Sequence, residues 1–157
     1  MMKSMHHFKK NLRNAGIAML VGLPLVVACQ QARADQTLTV SFKDLMNMPA
    51  TQSALNSSVS LYFGQQLYPS PVKQEGSFYF TERNNKVFTS TKAACRNAGL
   101  AALKDLQQRA SDMGANAVTD IVSYHNKQSG TDGQYECSVG TFTVEATLKG
   151  RMSILKG

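Results

Sequence analysis

The chain has 157 residues, of which 43% are hydrophobic, and its formal net charge is +7. This length suits one domain, and the excess of 17 Lys and Arg over 10 Asp and Glu would ordinarily indicate an anionic partner. Five of the basic residues, however, lie within residues 1–34, and every acidic residue lies beyond them, which leaves residues 35–157 with a net charge of +2. A domain so close to neutral lacks the basic surface that nucleic-acid binding requires.

The first 34 residues have the three-part pattern of a bacterial secretory leader. A basic region comes first, an apolar run follows at residues 15–28, and Ala32-Arg33-Ala34 fits the small-x-small site of signal peptidase. The run is shorter than the ~20 residues of a membrane span. The sequence therefore predicts a leader at residues 1–34 and a single periplasmic domain at residues 35–157, with a retained anchor helix as the alternative.

A competing cleavage site lies inside the same segment. Val26-Val27-Ala28-Cys29 resembles a lipobox, in which Cys29 would be diacylated and become the N-terminus. That processing would tether the domain to a membrane, whereas cleavage after Ala34 would leave it free. Membrane association is expected only if Cys29 is lipidated.

Two cysteines remain beyond the leader, Cys95 and Cys137. An even count in an oxidising compartment predicts a disulfide. Its loop would give about 4 kcal/mol in the chain-entropy model. The alternatives are two buried free thiols or a reactive Cys95 near a helix N-terminus, although the C-x-x-C spacing of redox sites is absent.

Five short elements are predicted before the longest helix. They are a strand at 37–42, a helix at 43–55 broken by Pro49, a strand at 59–63, a strand at 76–81, and a polar turn at 82–86.

The clearest element is a helix over 92–113, capped by Ser90 or Thr91 and ended by Gly114. Its apolar stripe recurs every three or four residues and contains Cys95, Ala98, Ala102, Leu106, Ala110 and Met113.

An interior strand is predicted at 117–124, followed by a polar loop at 126–134. From Tyr135 onward apolar residues alternate, and their phase shifts after Gly140. A bulge at Gly140 or Thr141 would keep Phe142 on the buried face. The predicted fold class is α+β: one long amphipathic helix packed on an antiparallel or mixed β-sheet, braced by one disulfide.

The helix, glycine turn and strand carry a family resemblance. The matching segments are 103–106, Ala110, Met113–Val118, Ile121–Tyr124 and Tyr135–Cys137. They resemble a family of small exported proteobacterial proteins whose members often carry an "excinuclease ABC" label. The resemblance covers about residues 95–150, and residues 89–150 are the best-defined part of the domain. The label implies a DNA-repair ATPase, which the sequence excludes because it has no phosphate-binding loop and no zinc-type C-x-x-C pairs.

A more remote similarity joins the same region to the YbjQ-type heavy-metal-binding domain and to RcsF-like envelope sensor domains. The residues that carry it are Gly114–Val118 after the helix and the terminal strand 143–150. The resemblance implies a disulfide-braced α+β fold and leaves function open.

The candidate site residues are few. An enzyme interpretation, such as a small hydrolase, would combine Asp120, Tyr124, His125, Asp132 and Glu136, but no nucleophile motif accompanies them. A metal interpretation would use His125 with Asp132, Glu136 or the two cysteines, a spacing unlike that of zinc sites, and oxidised cysteines cannot ligate a metal.

Aromatic residues form a further candidate surface. Its members would be Tyr62, Tyr68, Phe78, Tyr79 and Phe80, with Tyr68 and Tyr79 reaching solvent. The sequence thus favours a non-enzymatic binding, structural or sensor module, without cofactor, that contacts an envelope protein or another envelope component.

Overall fold

The computed structural model describes residues 36–130 and 133–156. The predicted leader, the lipidation candidate Cys29 and the candidate ligand Asp132 lie outside the described residues. The helices and strands follow in chain order: β1 (Gln36–Ser41), α1 (Phe42–Met46), α2 (Pro49–Ala54), β2 (Ser60–Phe63), β3 (Pro71–Asn85), α3 (Thr91–Asp112), β4 (Ala117–Ser123), β5 (Gln134–Val139) and β6 (Thr143–Leu155).

The six strands form one mixed sheet with β6 at its centre. β3 pairs along one edge of β6, while β5 and β4 pair with successive parts of the other edge. β1 adds to β5 in antiparallel fashion, and β2 adds to β4 as a parallel neighbour. The expectation of a helix with a sheet and one disulfide is therefore confirmed as a mixed α/β fold, in which the sheet dominates.

The long helix α3 packs on one face of this sheet. The Ser90 hydroxyl accepts a hydrogen bond from the Ala93 N–H at 3.2 Å, which caps the helix as predicted. Gly114 follows the helix with a φ of 71°, a conformation that glycine adopts without steric cost. The stripe facing the sheet is fully buried and comprises Cys95, Ala98, Ala102, Leu103, Leu106 and Ala110.

The two shorter helices lie on the same side as α3. The predicted break is confirmed, since α1 ends at Met46 and Pro49 begins α2. The buried side chain of Gln107 in α3 accepts a hydrogen bond from the Asn56 N–H at 2.8 Å and donates one to the Asn56 carbonyl at 2.9 Å. These bonds fix the segment after α2 to the long helix.

A disulfide joins Cys95 in α3 to Cys137 in β5, with 5.9 Å between the Cα atoms, as predicted. Beside it lies the fully buried Tyr135, whose hydroxyl donates to the Cys95 carbonyl at 3.1 Å. A Cβ atom at position 99 would collide with the Tyr135 ring, so Gly99 allows the helix to pass directly over it. Burial raises the pKa of the Tyr135 phenol, which keeps this group neutral.

The predicted end of the third strand at Thr81 is wrong. β3 continues through the polar residues 82–85, because its side chains pair with those of β6. The Arg83 Nε lies 2.7 Å from the Glu145 Oε2, and the hydroxyls of Thr81 and Thr147 are 2.8 Å apart. Such cross-strand pairs stabilise a polar strand that its own sequence does not indicate.

The predicted bulge at Gly140 or Thr141 is also wrong. β5 ends at Val139, and a tight turn leads into β6, in which the Gly140 N–H donates to the Thr143 carbonyl at 3.0 Å. The apolar phase changes here because two strands meet in a hairpin. Phe142 lies in that turn and is 67% exposed, not on the buried face.

Candidate functional site

The residues considered for a catalytic or metal site do not converge. The His125 Nδ1 lies 3.3 Å from the Ser138 Oγ, while the backbone N–H of Glu136 donates to the Ser123 Oγ at 3.0 Å. Among the described residues no hydrogen bond or ion pair joins His125 to Glu136, and no group of three His, Cys, Asp or Glu side chains could hold a metal. Both cysteines of this region form the disulfide, so they offer no thiolate ligand.

The aromatic candidates divide between the two faces of the sheet. Phe78 and Phe80 pack against the core beneath α3. Tyr79 points the opposite way and is 58% exposed, as predicted. The rings of Tyr62 and Tyr68 are 5.4 Å apart, and Tyr68 is half-buried, not free in solvent as expected.

The side of the sheet away from the α-helices, here called the open face, collects polar and aromatic side chains. Alternation along β3 and β6 places them there, because residues that face each other across the pair share a face. Its members from β3, β4 and β6, with the residue that follows β4, are Tyr79, Thr81, Arg83, Asp120, Val122, Tyr124, Glu145, Thr147, Lys149 and Arg151.

Asp120 has the most unusual backbone of this group. It lies inside β4 with a φ of 54°, and the pairing of β4 with β6 shifts by one residue between Thr119 and Val122. The extra residue of this bulge turns the Asp120 carboxylate to the open face. A left-handed residue that is not glycine costs conformational energy, about 1 kcal/mol or more.

The carboxylate of Asp120 is held by neighbours from distant parts of the chain. The Tyr68 hydroxyl donates to its Oδ1 at 3.2 Å, and an Nη1 atom of Arg151 lies 3.7 Å from its Oδ2. The same Arg151 nitrogen donates to the Gln74 Oε1 at 3.3 Å. Asp120 and Arg151 are both partly exposed, so this network is accessible from solvent.

An aromatic pair adjoins this network. The rings of Tyr79 and Tyr124 are 5.3 Å apart, and the Lys149 Nζ lies 4.8 Å from the centre of the Tyr124 ring. This contact is a cation–π interaction. This part of the open face therefore combines the two tyrosine rings with the Asp120 carboxylate and the cations of Lys149 and Arg151.

A shallow cavity of about 210 Å³ lies between these groups. Asp120, Lys149 and Arg151 border it, and Ser77 and Ser129 add hydroxyl groups. It can hold one polar side chain of a partner or a small polar ligand.

A larger apolar cavity of about 500 Å³ lies beside α1 and β2. Its walls include Phe42, Met46, Leu61 and Phe63, and the rings of Phe42 and Phe63 are 4.5 Å apart. Phe42 also packs on Tyr135 at 5.1 Å. The walls of this cavity are therefore side chains at the edge of the hydrophobic core. The polar side chains that lie close together, such as Asp120 and Arg151, are instead on the open face.

The open face is suited to recognition. Its carboxylates and cations are mostly engaged with one another, as Arg83 is with Glu145 and Arg151 with Asp120. Charges paired in this way present a fixed pattern of donors and acceptors. Tyrosine and arginine are the residues that most often dominate protein interfaces.

The sequence predicted that Tyr79 is exposed, but it did not place Lys149 and Arg151 on the same surface. It considered Asp120 only as part of a catalytic group. One signal was present, because an aspartate is unusual in an otherwise β-branched strand and can mark a bulge. The charged residues alternating along β6 were a second signal of a face turned to solvent.

No protein family, curated protein or solved structure matches this chain. Within the part of the chain that the structure describes, no helix is long and apolar enough to cross a membrane.

Proposed function

We propose that this chain is the precursor of an exported, non-enzymatic binding domain, whose open face contacts a protein of the cell envelope. The leader pattern of residues 1–34 supports export, and the Cys95–Cys137 disulfide is compatible with an oxidising compartment. The open face supports recognition of a protein because it combines exposed tyrosines with fixed charge pairs.

The observation that carries the proposal is the conformation of Asp120. The left-handed backbone of Asp120 costs conformational energy, and glycine would adopt the same φ without strain. Strained residues of this kind are retained where they orient a functional side chain. Here the strain directs a carboxylate to a partly exposed position between Tyr68 and Arg151.

The proposal is tested by separating stability from binding at Asp120. Asp120→Gly relieves the strain but removes the hydrogen bond from Tyr68, so the free energy of unfolding should stay within about 1 kcal/mol of wild type. Asp120→Ala keeps the strain and loses the bond, and should be less stable by about 1–2 kcal/mol. Both variants should lose binding.

Binding is read by photo-crosslinking in the cell. A photoreactive residue at position 149, on the open face, should give one discrete protein adduct that Asp120→Gly abolishes. The matched control carries the photoreactive residue at Lys104, which is exposed on α3 at the opposite side. Adducts that are the same from both positions, or that persist with Asp120→Gly, would reject the open face as the binding surface.

Export is tested independently by mass spectrometry of the protein recovered from cells. An N-terminus at Asp35 supports the soluble periplasmic form. A diacylated Cys29 would replace it with a membrane-tethered form, and an intact Met1 in the cytoplasm would reject export.

A further inference from the structure

The outer edge of β3 is a long run of backbone, and no described strand lies beside it. β3 has 15 residues, and among the described strands it pairs with β6 alone. The pairing is regular from Ser77, opposite Arg151, to Asn85, opposite Thr143. This nine-residue stretch contains neither glycine nor proline.

The hydrogen bonds of the sheet define which groups point outward. The Lys86 N–H donates to the Phe142 carbonyl at 3.0 Å, so in an antiparallel pair every second residue of β3 before Lys86 also bonds to β6. Thr81 falls on the alternate set, whose N–H and C=O groups face away from β6. Thr147 lies opposite Thr81, and its carbonyl accepts a hydrogen bond from the Tyr124 N–H at 2.8 Å. This carbonyl therefore points away from β3, as expected if Thr81 and Thr147 do not bond to each other through their backbones.

The side chains of this stretch leave the edge open. Arg83 and Thr81 are held across the sheet by Glu145 and Thr147, so they lie over β6 and do not cover the edge. Natural edge strands are commonly protected by proline, bulges or charges; the stretch from Ser77 to Asn85 has no proline and no bulge, and its charged residues Glu82 and Arg83 are engaged with Asp105 and Glu145.

We propose that two copies of this domain associate by pairing their β3 strands in antiparallel fashion around a two-fold axis at Thr81. All nine residues of the regular stretch pair only when Thr81 faces Thr81 of the second copy, and any other register shortens the pairing. Tyr79 then faces Arg83 of the second copy, and Ser77 faces Asn85 of the second copy, each twice.

On the open face this register is chemically self-complementary, while on the covered face Phe80 lies opposite Glu82 of the second copy. A threonine pair and a tyrosine beside an arginine are favourable cross-strand neighbours. A shift of the axis to Glu82 would instead place two carboxylates opposite each other, which is unfavourable. The two six-stranded sheets would continue into each other, with both open faces on the same side.

Site-specific cross-linking tests the register. Hydrogen-bonded antiparallel neighbours have Cα atoms about 5.5 Å apart, within the range that a disulfide spans. Thr81→Cys should therefore give a covalent dimer under mild oxidation, while Ser77→Cys should give one only when combined with Asn85→Cys. The control is Thr39→Cys, an exposed threonine on the edge strand β1, which should form no covalent dimer. Absence of a dimer with Thr81→Cys, or equal yields with Thr39→Cys, overturns the proposal.

A second experiment measures association without a covalent link. Sedimentation equilibrium of the wild-type domain should show a monomer–dimer equilibrium, and Thr81→Lys should raise its Kd at least about tenfold because two ammonium groups meet on the axis. Circular dichroism should show an unchanged fold, and Thr39→Lys should leave the Kd unchanged. A wild-type protein that stays monomeric at millimolar concentration, or a dimer insensitive to Thr81→Lys, would also reject the proposal.

Discussion

Neighbouring residues of β6 experience opposite environments. Leu148 is fully buried beneath α3, whereas Lys149, the next residue, lies on the open face against the Tyr124 ring. The helix-covered face contains the apolar core and the disulfide, and the open face contains paired charges and tyrosines. If the open face is the binding surface, as proposed above, stability and recognition lie on separate sides of one sheet, and each can be changed without the other.

The largest expected effect is on the covered face. Cys137→Ser removes the disulfide and should lower the free energy of unfolding by about 4 kcal/mol, measured by urea denaturation. Cys95 should then become alkylatable in the unfolded protein. Reductant added to the wild type should reproduce the loss, and equal midpoints with and without reductant would show that the bridge does not stabilise the fold.

Adjacent substitutions in β6 compare the faces directly. Leu148→Ala should cost about 2–5 kcal/mol because it leaves a cavity under α3. Thr147→Ala removes the hydroxyl contact with Thr81 at the solvent-exposed side and should cost about 1 kcal/mol or less. Thermal denaturation of both variants measures the difference, and similar losses would mean that the open face is covered in the native protein.

The smallest effect concerns Glu82, which faces Asp105 where β3 meets α3. Burial, a hydrogen bond with Asp105 and the charge of Asp105 raise the pKa of Glu82 above its usual value. The folded state therefore holds this proton more tightly than the unfolded chain. The stability that the proton provides is complete below the unfolded pKa and is lost as the pH rises through the folded pKa.

Glu82→Gln should consequently leave stability unchanged below about pH 4. At pH 7 it should increase stability by less than about 1 kcal/mol, because the side chain is largely solvated. The control Glu145→Gln breaks the pair with Arg83 and should have the opposite sign at pH 7. Melting temperatures across this pH range measure both, and a loss of stability for Glu82→Gln at neutral pH would contradict the contact with Asp105.

The covered face was predictable from the sequence, and the open face was not. The spacing of Cys95, Ala98 and Ala102 is a local property of one helix, so the buried stripe and the disulfide could be inferred before any tertiary contact was known. The polar end of β3 is a strand only because Glu145 and Thr147 lie opposite it. That pairing joins residues far apart in sequence and leaves no local periodic signal.

The conformation of Asp120 was missed for the same reason. Aspartate tolerates a left-handed backbone better than most residues and can mark a bulge, but residues 117–124 alone do not fix the register at which the bulge falls. Its position depends on the register of β4 against both β2 and β6. The conformation of Asp120 therefore depends on how β4 pairs with both of its neighbouring strands, which the local sequence does not specify.

The position of β6 at the centre of the sheet also determines when this protein can fold. Among the described strands β6 comes last in sequence; β3 pairs with β6 alone, and β4 and β5 each have only one other partner strand. β1 must wait as well, since Gln36 pairs with Val139. The central strand is therefore synthesised after the five strands that surround it, and such distant pairing is slow. Until β6 has been made, the five strands around it cannot form the complete sheet.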